Sequence, residues 1–285
     1  MGNSEQIERI AVPEEWHGVR IDQGLRLLAP ESGLRQRQQW CASGRVRQNG
    51  RTERKGGRLE AGATLELLPE PLPSKPQPAS GVRVVSVVNA LAAVFKPGNV
   101  HCEAQSHNPE PSVESVLPNL FPRQRPRLLN RLDYPTSGLV LVALSQGAFD
   151  QYQIWQDEGR VRKTYWAEIH GEWTGPELLK WRIETAKRKR VAVVFEPDPD
   201  PLRWTHVRAL YRIAPGRTRV EVVIAKGRRH HIRAHLAAAG TPIQGDSLYG
   251  EDSPSAPLYL HHLRVHMPGF TAETPPPWSE NSAAR

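Results

Sequence analysis

The segment Arg131-Leu-Asp-Tyr-Pro-Thr-Ser-Gly138 leads directly into the apolar run Leu139-Val-Leu-Val-Ala-Leu144. Proline, threonine, serine and glycine in succession indicate a turn, and a short apolar run next to turn residues indicates a buried strand. We therefore expect a rigid sheet to hold the carboxylate of Asp133 at the edge of a pocket, a position that suits a catalytic side chain. The simpler alternative is a carboxylate that only bonds amides of its own turn, and for an isolated Asp this alternative is favoured.

Strands and helices alternate on both sides of this segment. Residues 82–88 are a further strand candidate, and Val161, Lys163, Tyr165, Ala167 and Ile169 occupy alternate positions, as on one face of a strand. One helix is predicted over residues 145–159, with Ser145 as its cap, and another over residues 231–239. The pattern predicts an α+β domain over residues 82–285.

A smaller domain is predicted over residues 1–70. Apolar residues recur at helical spacing from Ile21, and a second helix is predicted over residues 34–43. Asn49-Gly50 is the strongest dipeptide signal for a tight hairpin turn. Residues 71–81 are rich in proline and are predicted to be a semi-rigid linker between the two domains.

The composition excludes several classes of protein. The chain has 285 residues, of which 38% are hydrophobic and 24% are charged, as in ordinary globular proteins. Its longest apolar run is far shorter than the roughly 18 residues that a membrane span needs, so we expect no membrane-spanning segment. Cys41 and Cys102 are the only cysteines, too few for a disulfide framework or a cysteine-based zinc site. No export signal is recognisable, and we expect a cytoplasmic protein.

The charge balance points to a polyanionic partner. Lysine and arginine exceed aspartate and glutamate by 38 to 30, a net charge of +8. Basic residues concentrate in the small domain, where the candidates for phosphate contact are Arg35, Arg37, Arg45, Arg47 and Arg51. The alternative is a solvated face, which most charge runs are. A second cluster, Lys187-Arg-Lys-Arg190, fits a substrate-facing loop, a localisation signal or plain surface charge equally well.

Four segments of the large domain occur in a characteristic order. They are Arg131-Leu-Asp-Tyr-Pro-Thr-Ser-Gly138, Lys163-Thr-Tyr-Trp-Ala167, Gly227-Arg-Arg-His-His-Ile-Arg-Ala-His-Leu236 and Leu260-His-His-Leu263. Together they closely resemble the RluA-type RNA pseudouridine synthases. The small domain resembles an S4 RNA-binding module through Gly18-Val-Arg-Ile-Asp22 and Gly44-Arg-Val-Arg-Gln-Asn-Gly50.

This resemblance implies a fold, an activity and a partner. The fold would be a catalytic domain with a mixed, mainly antiparallel sheet and a small N-terminal α/β S4-like module. The activity would be an isomerase that converts specific uridines of structured RNA, either ribosomal or transfer RNA, to pseudouridine. The resemblance implies no cofactor and no metal, and we expect a monomer.

The resemblance also assigns roles to residues. Asp133 would be the catalytic carboxylate, which either attacks C1′ of the target uridine or removes the C2′ proton. Arg233 would pair with it, and Tyr165 would support the flipped base by stacking. Taken alone, this arginine would be a solvated side chain or a phosphate clamp, and the tyrosine would be plain core. The predicted substrate-binding residues are Arg131, Lys163, Arg228, His230, Ile232 and Leu260.

Some residues depart from the family pattern and leave alternatives open. Asn130 replaces the usual His, Arg229 the usual Thr and His231 the usual Gln. One alternative is a non-catalytic RNA-binding or ribosome-assembly factor. A less favoured one is a histidine-based metalloenzyme, because His231 and His235 lie four residues apart, as do His262 and His266.

Overall fold

The computed structural model describes residues 8–54, 56–68, 81–104, 111–185, 189–252 and 256–278. These residues form two compact units, the first ending at residue 68 and the second beginning at residue 81. Residues 71–80 of the proline-rich linker and residues 187 and 188 of the second basic cluster lie outside the described residues, so both interpretations stay predictions. Within the described ranges, no helix has the length and apolar character needed to cross a membrane.

The first unit is a small antiparallel sheet next to short helices. Its elements are β1 (Glu8–Ala11), α1 (Ile21–Gly24), α2 (Leu34–Ala42), β2 (Val46–Gln48), β3 (Arg51–Thr52) and β4 (Thr64–Leu67), with the sheet order β1-β4-β2-β3. The second predicted helix is confirmed as α2. The first is one α-turn that continues as a 3₁₀ turn over Leu25–Leu27. Asn49 and Gly50 both have positive φ, as a tight hairpin turn between β2 and β3 requires.

The second unit is built on a large twisted sheet. Its elements are β5 (Arg83–Val88), β6 (Leu91–Lys96), α3 (Val113–Leu120), β7 (Arg127–Leu128), β8 (Ser137–Ala143), α4 (Gln146–Asp157), β9 (Arg162–His170), β10 (Leu178–Leu179), β11 (Trp181–Glu184), β12 (Ala192–Pro197), β13 (Thr205–Ala214), β14 (Arg217–Ile224), α5 (His231–Ala238), β15 (Leu260–Met267) and β16 (Phe270–Glu273). The main strand order is β10-β13-β14-β9-β15-β8-β6-β5, while β11 and β12 form a separate hairpin. Only β8 and β15 pair in parallel among these described strands, so the predicted mixed, mainly antiparallel sheet is confirmed.

Helices cover the central strand β8 on both faces. Leu139 and Leu141 belong to the apolar cluster that contains Tyr152 of α4, whereas Val140 and Val142 pack with Leu117 of α3. All seven residues of β8 are therefore buried, which explains why its sequence is continuously apolar instead of alternating. This rigid strand follows the turn that carries Asp133.

Gly138 lets β8 and β15 come together. Its φ is +118°, and a Cβ atom at this position would overlap the backbone of His262, its register partner in β15. Any larger residue would push the two strands apart. The glycine that ends the Arg131–Gly138 segment is thus required by packing, and it fixes the turn relative to β15.

Candidate active site

The second unit contains a cleft of about 430 Å³, within the range of small-molecule sites. Its walls come from the turn before β8, from β9 and from the loop and first turn of α5. The structure brings all nine sequence-predicted catalytic and substrate-binding residues to this cleft: Arg131, Asp133, Lys163, Tyr165, Arg228, His230, Ile232, Arg233 and Leu260. Residues separated by more than a hundred positions in the sequence thus share one cavity.

Asp133 lies in the turn that precedes β8. The turn is closed by a hydrogen bond from the Thr136 amide to the Asp133 carbonyl, at 3.0 Å. The Asp133 side chain is 21% exposed, and its Oδ2 accepts a hydrogen bond from Nη1 of Arg233 at 3.2 Å. The carboxylate therefore faces the cleft beside a fixed positive charge.

A second carboxylate, Asp246, holds Arg233 in place. Nε and Nη2 of Arg233 donate to Oδ2 and Oδ1 of Asp246 at 2.7 and 2.8 Å, and the Asp246 side chain is fully buried. Burial alone would raise the pKa of Asp246, but hydrogen bonds and charge from Arg233 outweigh burial and lower that pKa. The bidentate pair leaves Nη1 of Arg233 for Asp133.

Two residues beside the cleft were not predicted from the sequence. They are Asp246 and Tyr249, and the Tyr249 hydroxyl lies 3.0 Å from Nδ1 of His230. Both belong to the segment Gly245-Asp-Ser-Leu-Tyr-Gly250 after α5. A physical argument could have indicated Asp246. A buried arginine that directs one nitrogen at Asp133 needs a second carboxylate for its other nitrogens, and this turn-rich segment contains one.

Tyr165 forms part of the apolar floor. Its ring stacks on that of His262, with centroids 4.5 Å apart and planes inclined by 16°. Burial raises the pKa of Tyr165, so its hydroxyl stays neutral at ordinary pH. Burial also lowers the pKa of His262 to about 3, and this neutral ring bonds the Leu139 carbonyl through Nδ1. A neutral pair of rings suits contact with an uncharged base.

Lys163 lies on the same face of β9 as Tyr165. It lines the cleft but is only 5% exposed, and burial lowers its pKa to about 8. Residues 163, 165, 167 and 169 are all buried, which confirms the predicted alternation along this strand. The side chain is therefore a largely desolvated cation at the wall of the cleft.

His231 and His235 take part in a chain of hydrogen bonds. The Arg228 amide donates to Nδ1 of His231, so Nε2 of His231 carries the proton and donates to Oγ1 of Thr205, at 3.0 Å. That hydroxyl lies 2.9 Å from Nδ1 of His235, whose Nε2 donates to the Trp181 carbonyl. Burial lowers the pKa of both histidines.

The metalloenzyme alternative finds no support in this arrangement. His262 and His266 lie on a strand and bond different partners, the Leu139 carbonyl and the Thr271 hydroxyl. In the part of the chain that the structure describes, no three His, Cys, Asp or Glu side chains are grouped as metal ligands.

The arginines predicted to bind RNA in the first unit do not share one environment. Arg35, Arg47 and Arg51 are exposed, whereas Arg45 is half-buried and donates to the Leu68 carbonyl. For Arg37 the prediction is wrong. It is 3% exposed, and its Nε donates to the Asp22 carbonyl at 2.8 Å, so it holds the unit together and cannot reach a phosphate.

Comparison with known proteins agrees with this geometry. The family described as RNA pseudouridylate synthase matches residues 90–238. A Chloroflexus aurantiacus protein named as an uncharacterized RNA pseudouridine synthase is 28% identical over 96% of this chain and 89% of its own length. The ribosomal large subunit pseudouridine synthase D of Pseudomonas aeruginosa is 29% identical over 87% and 79%.

The fold is also similar to that of a solved structure. The human protein RNA Pseudouridylate Synthase Domain Containing 1 superposes with a TM-score of 0.58 at 22% identity, over 73% of this chain and 89% of that chain. The family match spans just over half of the chain and includes Asp133, Tyr165 and Arg233. This chain belongs to the RNA pseudouridylate synthase family and is an isomerase that acts on RNA.

Proposed function

We propose that Asp133 is the group that starts the isomerisation, with Arg233 and Tyr165 as its partners in the cleft. The observation that carries this proposal is the 3.2 Å hydrogen bond between Nη1 of Arg233 and Oδ2 of Asp133 at the wall of a cleft that Tyr165 also lines. The guanidinium fixes the position of this carboxylate oxygen beside the cleft, and both open routes use that carboxylate. In one route the carboxylate attacks C1′, and in the other it removes the C2′ proton.

Either route breaks the C1′–N1 bond and then forms a C1′–C5 bond. The proton leaves C5 and N1 gains one, so the product has the same composition as uridine. The detached ring has to stay in the cleft while it turns, and apolar walls that exclude water serve this purpose. Ile232 and Leu260 supply such walls, since they line the cleft and are 4% and 3% exposed.

The target uridine would reach this cleft by leaving its helical stack. Flipping a base costs a few kcal/mol, and stacking on an aromatic side chain returns about 1–3 kcal/mol. Tyr165 would supply that contact, supported from beneath by His262. Lys163 and Arg228 would supply positive charge to the nucleotide. Arg131 lines the cleft with 67% of its side chain exposed, and it would contact the RNA there.

We further propose ribosomal RNA of the large subunit as the substrate. The relatives from Pseudomonas aeruginosa and Haemophilus ducreyi are named ribosomal large subunit pseudouridine synthase D, and this chain spans 79% and 73% of their lengths. The first unit would act as an S4-like module that grips phosphates through Arg35, Arg47 and Arg51. The enzyme would work as a monomer in the cytoplasm.

The test is Asp133→Asn, which keeps the shape of the side chain and removes its charge. Wild-type enzyme and variant would be incubated with ribosomal RNA and with transfer RNA from cells that lack the gene. We expect the variant to bind RNA as well as wild type and to form no carbodiimide-reactive nucleoside of unchanged mass.

Asp150→Asn, an exposed exchange on α4, is the matched control and should leave the rate unchanged. An active Asp133→Asn enzyme would refute the catalytic role. Product in transfer RNA alone would refute the ribosomal substrate. A wild-type enzyme that binds RNA without turnover would favour the non-catalytic alternative.

A further inference from the structure

Two aromatic side chains meet at the rim of the cleft, outside the set described above. Tyr134 directly follows Asp133 in the turn, and its side chain is 40% exposed. Its ring lies against that of His101, with centroids 4.5 Å apart and planes inclined by 40°. His101 lines the cleft, so the pair continues the cleft wall out to solvent.

The backbone beneath the Tyr134 ring is fixed by several bonds. The Tyr134 carbonyl accepts hydrogen bonds from the Asn99 amide at 2.8 Å and from Nζ of Lys96 at 3.1 Å. Lys96 is fully buried, and its ammonium also donates to the carbonyls of Pro97 and Val100. A buried lysine that bonds three carbonyls holds two loops together, so Tyr134 is presented from a rigid support.

The backbone of His101 is anchored as well. Its carbonyl accepts a hydrogen bond from the Val113 amide at 2.9 Å, and the residue forms a parallel bridge with Ser112, the cap of α3. Both rings therefore have fixed backbones. An aromatic pair that is held in this way, with the Tyr134 ring exposed, loses little conformational freedom when a flat partner binds, which favours stacking.

The position of Tyr134 indicates what that partner is. Tyr134 follows Asp133 directly, with the two Cα atoms about 3.8 Å apart, and its ring contacts the cleft-lining His101, so a nucleotide next to the one whose sugar meets Asp133 can reach the Tyr134 ring. We propose that the Tyr134 ring, supported by His101, stacks on the nucleobase adjacent to the flipped uridine. This contact would make the enzyme read an unpaired neighbour as well as the target, and it rests on the proposed function of Asp133.

A single exposed tyrosine is ordinary on a protein surface and needs no explanation by itself. Tyr211 on β13 is an example, since it is 50% exposed but does not line the cleft. Tyr134 differs in two respects, its place next to Asp133 and its contact with a ring that lines the cleft.

The test combines protein variants with altered RNA. Tyr134→Ala, Tyr134→Phe and the control Tyr211→Ala would be compared in single-turnover assays on a short ribosomal RNA hairpin. Further hairpins would carry an abasic nucleotide on the 5′ or the 3′ side of the target. We expect Tyr134→Ala to raise the RNA concentration for half-maximal rate about tenfold, and Tyr134→Phe and Tyr211→Ala to change it less than twofold.

The abasic substrates separate stacking from a general structural effect. On one of the two abasic hairpins, wild type should need an RNA concentration for half-maximal rate about tenfold higher than on the unmodified hairpin. Tyr134→Ala should show no further increase on that same abasic hairpin. The inference would be overturned if the effects of Tyr134→Ala and of the abasic nucleotide multiplied. It would also be overturned if Tyr134→Ala needed the same RNA concentration as wild type on the unmodified hairpin. Failure of the proposed function would look different, because wild type itself would then form no product on the unmodified hairpin.

Discussion

Arg233 binds two carboxylates that differ in burial. Asp246 is fully buried and takes two of its nitrogens, whereas Asp133 is 21% exposed and takes one. Asp246 occupies the Nε–Nη2 edge of the guanidinium and fixes its plane, and Arg233 meets Asp133 through the 3.2 Å hydrogen bond from Nη1 to Oδ2. Oδ1 of Asp133 takes no part in that bond and is left for the ribose.

Asp246→Asn tests this positioning role. The amide retains one acceptor for Arg233 but removes the charge, and breaking a buried ion pair costs about 3–5 kcal/mol when one partner is lost outright. We expect a lower Tm and a single-turnover rate at least tenfold below wild type, with RNA affinity within twofold. Asp252→Asn, on the same loop but bonded to His170 and Gly245, is the control and should preserve the rate. A fully active Asp246→Asn enzyme would show that Arg233 needs no second carboxylate.

Lys163 is expected to lower the free energy of unfolding while it provides a contact to the substrate. Burial lowers its pKa to about 8 from the usual 10.5, so at pH 7 the folded protein carries a desolvated charge. At about 1.4 kcal/mol per pKa unit, this costs on the order of 3 kcal/mol. Lys163→Met should therefore raise the free energy of unfolding at pH 7 and lower activity.

The sign of this effect follows from proton binding. Between pH 8 and 10.5 the unfolded chain holds the Lys163 proton more tightly than the folded protein, so wild-type stability gains over this range relative to the variant. Chemical denaturation at pH 7 and at pH 10 measures the difference in unfolding free energy between Lys163→Met and wild type at each pH. If the advantage of Lys163→Met did not shrink at pH 10, the buried lysine would not be its cause.

At the level of elements, the sequence predicted the features that follow from short-range rules and missed those that depend on contacts between separate elements. The alternation along β9 and the cap of α4 by Ser145 follow from short-range rules, and both are confirmed. The parallel pairing of β8 with β15 depends on residues more than a hundred positions apart. Asp246 was missed because its partner lies on another element. The prediction for Arg37 was wrong because the charge of a residue does not indicate whether its side chain is buried.

The junction of β8 and β15 predicts a strong effect of Gly138→Ala. The added methyl group would collide with the backbone of His262, and the φ of +118° disfavours any residue with a Cβ atom. We expect a loss of more than about 2 kcal/mol in unfolding free energy, or failure to fold. Gly147→Ala on α4, where a Cβ atom meets nothing within 4 Å, should be neutral or stabilising in the same denaturation assay.

The chain of hydrogen bonds from α5 to β11 makes stability depend on pH. Burial lowers the pKa of His231, and the charges of His235 and Arg228 lower it further, which together outweigh the hydrogen bond to the Arg203 backbone that raises it. The folded state therefore binds fewer protons than the unfolded state below pH 6.5, and stability falls as the pH drops. His231→Gln can keep both hydrogen bonds without titrating, and should reduce this slope by up to about 1.4 kcal/mol per pH unit. Denaturation of wild type and variant at pH 7 and pH 5 checks this, and an unchanged slope in His231→Gln would show that His231 does not cause the loss of stability.

At the scale of the whole molecule, the contribution of the net charge of +8 to RNA binding depends on which basic side chains are paired with acidic ones. Many arginines of the second unit are paired with glutamates, as Arg208, Arg212 and Arg264 are with Glu221, Glu172 and Glu273. Exposed ion pairs of this kind carry little field beyond their own contact. In the first unit, Arg35, Arg47 and Arg51 are exposed and have no ion pair among the described residues, which makes them the better candidates for phosphate contact.

This assignment predicts the salt dependence of RNA binding. Each phosphate contact releases counterions and adds about 0.7–0.9 to the slope of log K against log salt concentration. Replacing Arg35, Arg47 and Arg51 together by Gln in the full chain should weaken RNA binding and reduce that slope by about 2 to 3, with the same rate at saturating RNA. Replacing Arg208, Arg212 and Arg264 by Gln changes the net charge equally and should alter the slope by less than one. Equal slopes for the two triple variants would mean that the first unit does not contact phosphates and that net charge alone attracts the RNA.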